Sequence, residues 1–219
     1  MDNETIEPKA TEVGLFWSTT NGVVSRLIRR VLGCEWSHVG LVMLFDGTEV
    51  YYEALAGRGI VGPRLVSALE AWSYKPGHKL DVRWAWWLSP QQAELIHQRA
   101  LALQAAAGYG TFQLIAHWWF ERVRKRWGGR MRNTPGKVTC SEFVSRAMYP
   151  DVKLFDDHRD HHDAVTPASS RVAFFQIESS MKPLKTSNTP PPEGSCQASP
   201  ALHATSPKAA EYLTMHGAN

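Results

Sequence analysis

With 219 residues, 43% of them hydrophobic and 21% charged, the chain can bury a full core and reads as globular rather than fibrous or disordered. A net charge of +3 does not by itself argue for nucleic acid, so no obligate nucleic-acid partner is expected, and no apolar run reaches membrane-spanning length. Three cysteines, Cys34, Cys140 and Cys196, cannot all pair and fit no zinc or disulfide framework. Together with a polar, acidic start (MDNETIEPKATE) that lacks a signal-peptide pattern, they point to a cytoplasmic, reducing setting.

Residues 1–12 read as a flexible leader, 13–180 as one catalytic domain and 181–219, rich in Pro, Ser and Thr, as a disordered tail. Val13-Gly14-Leu15-Phe16-Trp17 predicts a short strand. From Asn21 to Gly33, the spacing of Val24, Leu27, Ile28, Val31 and Leu32 predicts an amphipathic helix, with Arg26, Arg29 and Arg30 on its other side. Two β-rich runs, Ser37 to Phe45 and Thr48 to Ala54, flank Asp46-Gly47, which is a strong hairpin signal. A two-residue loop there pairs Phe45 with Thr48 and, further along, Gly40 with Glu53. His38 and Glu53 then become diagonal neighbours on one face, with only glycine between them. Residues 55–63 (LAGRGIVGP) read as a glycine-rich loop, Leu65 to Trp72 as a short helix and His78 to Trp87 as a strand. Ser89-Pro90-Gln91-Gln92 opens a helix that runs to Gly108, and a second helix is expected after Tyr109-Gly110.

The run TCSEFVSRAMYP carries the most chemical information. Thr139 with Glu142 three residues on is a capping-box pattern, so a helix starts at Cys140 and stops before Pro150. The first turn of a helix stabilises a thiolate, whose pKa falls from about 8.5 toward the ~3.5–7.5 of activated cysteines. A thiol nucleophile also needs a base, and that base an orienting group. Cys140, His38 and Glu53 supply these three residue types, and Gln113 is a second polar candidate for the orienting role.

The segments SRLIRRVLGCEWSHVGLV, VYYEALAGRGI and VTCSEFVSRAMYP resemble the circularly permuted papain-fold hydrolases of the NlpC superfamily, in particular its YiiX/YaeF-like group, and more distantly the lecithin retinol acyltransferase-like proteins. In the permuted proteins the histidine strand precedes the cysteine helix, as it does here. The resemblance spans about Val13 to Phe175. It implies an α+β, papain-like core: a curved antiparallel sheet with the cysteine helix packed on it. It also implies that Cys140 is the nucleophile, His38 the general base and Glu53 its orienting partner. The main-chain N–H of Cys140 would help to bind the oxyanion, and no metal or cofactor is required. The reaction class implied is acyl transfer through a thioester, on a peptide, an acyl amide or a lipid.

Tyr51, Tyr52 and Tyr109, with Trp84 and Trp86, come from segments expected near the cleft and are candidate substrate-binding residues. The run Asp156 to Asp163 (DDHRDHHD) looks like metal bait but lacks ligand spacing on rigid elements, and reads as a polar surface loop. Arg122 to Lys137 is strongly basic beside Trp118, Trp119 and Trp127, and Arg124, Lys125 and Arg126 could meet an anionic surface. A solvated basic helix face is the competing reading.

Overall fold

The computed structural model describes residues 9–109, 137–154 and 165–181. Gln113, Trp118, Trp119, Arg124, Lys125 and Arg126, the run Asp156 to Asp163 and the tail beyond Met181 lie outside the described residues.

Asp46 and Gly47 take positive φ angles of 46° and 81°, the backbone a tight two-residue hairpin turn demands. They join β2 (His38–Phe45) to β3 (Thr48–Leu55), and the register runs from Phe45–Thr48 to Leu41–Tyr52, as the turn predicts. β1 (Ala10–Thr19) lies on the other side of β2 and begins earlier than the expected strand at Val13. β5 (Lys79–Trp84) pairs with β1, and β4 (Gly59–Leu65) pairs with β3. The result is one antiparallel sheet in the order β4-β3-β2-β1-β5. β4 corrects the expectation of a loop over 55–63. Its Gly59, Gly62 and Pro63 are loop-like residues, but on an edge strand proline need not donate to a ladder.

Alternation along the strands divides the core between two faces. Leu15, Trp17, Val39, Leu41, Met43, Val50 and Tyr52 face α3 (Pro90–Ala106), α4 (Cys140–Met148) and Phe174 of α5 (Pro167–Met181). Phe16, Val42 and Tyr51 face the opposite way, onto Val66 and Leu69 of α2 (Val66–Ser73). The chain is therefore an α+β protein with helices on both sides of the sheet. A two-stranded parallel pair, β6 (Gly108–Tyr109) with β7 (Lys137–Val138), stands apart from it. Among the described residues no helix is long and apolar enough to cross a membrane.

Gly40 marks a tight point of the α2-side face. A Cβ there would overlap the Phe16 ring and lie 2.6 Å from the Tyr52 carbonyl oxygen, which is backbone and cannot step aside. Gly40→Ala is expected to destabilise the protein by about 2–3 kcal/mol, read as a lower denaturant midpoint at unchanged slope. A neutral substitution would mean that the Phe16 ring is free to move away.

Candidate active site

Thr139 caps α4 in the way its sequence predicts. Its hydroxyl accepts from the Glu142 N–H (3.3 Å), and the Glu142 carboxylate accepts from the Thr139 N–H (3.4 Å). Glu142 is buried and also pairs with Arg146 at 2.6 Å. This closed set of bonds fixes where the helix begins, and so where Cys140 points. The side of α4 carrying Phe143, Val144, Ala147 and Met148 is sunk in the main core, and Cys140 is only 3% exposed.

His38 opens β2 and, by alternation, lies on the opposite face of the sheet from α4, its ring 6.0 Å from that of Phe16. The end of a ladder brings the two residues together. Pairing between β1 and β2 continues to Ser18–His38, whereas pairing between β2 and β3 stops at Leu41–Tyr52. Residues 38–40 thus lie beyond the paired stretch of β3, with the Tyr52 carbonyl beside Gly40 and the Glu53 side chain reaching His38. Cys140 lies at this end of β2, where His38 and the Val39 and Ser141 N–H groups are the neighbours that favour a charged sulfur.

His38 Nε2 lies 2.9 Å from Glu53 Oε2, the diagonal contact that the hairpin register predicts. With Nε2 so engaged, Nδ1 is the ring nitrogen left for the sulfur. The other oxygen of Glu53 faces the Arg64 guanidinium at 3.6 Å. Arg64 also lies near the Tyr51 hydroxyl, and Tyr51 packs edge-on to Phe16. Neither Arg64 nor Phe16 carries a sequence signal. Arg64 falls just past a stretch that reads as loop, and Phe16 looks like any core aromatic.

The electrostatics of the pair are coupled. Burial pushes the Cys140 thiol up, but the neighbouring His38 charge, its hydrogen bond and the two main-chain donors outweigh burial and leave the thiol below its ordinary value. Burial also works against a charged His38. The Cys140 sulfur and then Glu53 overcome this and raise His38 to about 10. The two shifts describe a thiolate beside an imidazolium. The His38 side chain keeps about 20% of its surface accessible, so the imidazole of the pair is reached from solvent.

The tyrosines separate. Tyr51 shares the face of His38 and Glu53 and stands beside them. Tyr52 does not line a cleft: it points to the other face, is fully buried and bonds His97 Nε2 through its hydroxyl at 3.2 Å. The one-residue step that places Tyr51 at the site turns Tyr52 into the core. The main chain of Tyr109 pairs beside Val138, two residues before Cys140, and its side chain lies outside the described part. Trp84 edges the α2-side core and Trp86 is exposed after β5. Among the described residues no group of three or more His, Cys, Asp or Glu could hold a metal ion.

The chain matches no protein-family model, and no curated protein matches it.

Proposed function

We propose that the protein is a cysteine hydrolase that cleaves an amide bond, in a peptidoglycan-type peptide or an N-acyl amide, through an acyl-thioester on Cys140. The observation that carries this reading is His38 hydrogen-bonded to Glu53 and electrostatically paired with the Cys140 sulfur. That is a nucleophile, a base and an orienting acid in contact, each supplied by a different element. In the proposed reaction the thiolate attacks the carbonyl carbon, and His38 gives its proton to the departing amine. A water molecule, deprotonated by His38, then attacks the thioester, releases the acid and restores the thiolate–imidazolium pair. The N–H of Cys140, first in its helix and so without an acceptor within it, faces the developing oxyanion. The order of histidine strand and cysteine helix supports the resemblance to the permuted papain-like fold. Cys34 and Cys140 are both free thiols, in keeping with a cytoplasmic setting.

A thiolate forms the same kind of intermediate from an amide, an ester or a thioester, so a lipid acyltransferase or thioesterase is the alternative on the same triad. Intact mass after acid quenching distinguishes them. Exposure to peptidoglycan fragments is expected to leave a peptidyl adduct on Cys140. A fatty-acyl adduct from phospholipid alone would sink the amidase in favour of the acyltransferase. A third reading, a catalytically silent module that binds through the basic tryptophan-rich segment, requires an unreactive Cys140.

A further inference from the structure

α1 (Val23–Leu32) leaves part of its apolar side uncovered. The side facing the body is mixed, with half-buried Ile28 and Leu32 beside Ser25 and Arg29. Ser25 is buried, and its hydroxyl bonds those of Ser37 (2.6 Å) and Thr19 (3.0 Å) and accepts from the Thr20 N–H (3.1 Å). Arg29, on the same side, donates to the Thr20 carbonyl at 3.2 Å. Three apolar residues face out: Val23 is 72% exposed, Val24 64% and Leu27 43%. Val23 and Leu27 lie one turn apart with Val24 beside them, and the exposed Arg26 and Arg30 run along one edge of this patch. The helix contains three arginines and no acid. The hydroxyl clamp holds this orientation firmly, so the outward apolar side is a built feature that calls for an occupant.

The geometry points to an anionic lipid bilayer as that occupant, with Val23, Val24 and Leu27 set into the headgroup–acyl boundary and Arg26 and Arg30 on the headgroups. A helix with a narrow apolar arc bordered by arginine has the form of an interfacial anchor. A second copy of this chain fits poorly, because a two-fold contact would bring the arginine borders of two helices together. Three side chains are also far short of the roughly 800 Å² per partner of a standard protein interface. Lipid insertion has no such minimum, since each buried methylene contributes on its own. The proposal is independent of the hydrolase reading.

The test is flotation of the full chain with phosphatidylcholine vesicles, with and without about 30 mol% phosphatidylglycerol, at low and high salt. Binding to the anionic vesicles only, weakened by salt, is expected. Val24→Asp with Leu27→Asp should lower it by about tenfold or more, and Arg26→Gln with Arg30→Gln should lower it and flatten the salt dependence. These positions are exposed, so unchanged thermal unfolding should show that the fold is kept. Three results would overturn the proposal. One is no binding at low salt. Another is binding that survives V24D/L27D but is lost on replacing Arg124, Lys125 and Arg126 with Gln. The third is a solution dimer, without vesicle binding, that V24D/L27D dissociates.

Discussion

Cys140 is expected to alkylate with iodoacetamide at mildly acidic pH, while Cys34 stays nearly inert. The two thiols sit in opposite environments. Cys34 is half-buried, and that burial raises its pKa, with the neighbouring Glu35 adding to the effect against its bond to Trp36. Cys140 is more deeply buried still, yet His38 and two main-chain donors hold it below the ordinary thiol value. The reactive form of Cys140 therefore persists below the pH at which an ordinary thiol ionises, and the rate is level until His38 loses its proton near 10. His38→Ala removes the charge and the hydrogen bond that do most to oppose burial. The acid limb should then move to higher pH by more than about one unit, or about tenfold in rate at roughly pH 6. Mass mapping of alkylated peptides across the pH range checks both points. Equal reactivity of the two thiols would leave only the silent-module reading.

Glu53→Gln is expected to lower turnover by about 10²–10⁴-fold while the fold persists. The amide is the same size and can still reach Nε2, but it carries no charge to stabilise the imidazolium and favours neither tautomer. It also leaves Arg64 without the carboxylate it faces. The alkaline end of the alkylation plateau should fall below the value near 10, because the Glu53 bond and charge both support the protonated ring. That second readout separates an electrostatic role from a merely structural one. Full turnover and an unmoved alkaline limb would take Glu53 out of the triad and turn attention to Gln113.

Much of this site is legible in the sequence alone, because its parts are set by short-range rules. Asp46-Gly47 dictates the hairpin register, and the register alone makes His38 and Glu53 neighbours. Thr139 and Glu142 dictate where α4 starts. What cannot be read there depends on tertiary context. Periodicity shows that α1 has an apolar side but not how far that side is covered, and here Val24 and Leu27 are exposed while Ile28 and Leu32 are half-buried beside Ser25. Tyr51 and Tyr52 look equivalent in sequence, and only the strand's facing decides that one neighbours Glu53 and the other belongs to the core. The edge strand β4 is hidden by its glycines and proline, and with it the Arg64 partner of Glu53.

The end of β2 beyond the β3 ladder has a genetic consequence. Two of the groups that steady the Cys140 sulfur are peptide amides, those of Val39 and Ser141, and every amino acid except proline brings the same amide. As far as the sulfur is concerned, codons 39 and 141 are free to drift among all the other residues, limited only by packing around them. Their letters in a divergent descendant would carry no trace of the role. A chain that kept this chemistry could lose nearly every recognisable character except the cysteine, the histidine and an acid. It would then be found by the shape of a broken ladder with a helix start set into it, long after its spelling had ceased to align.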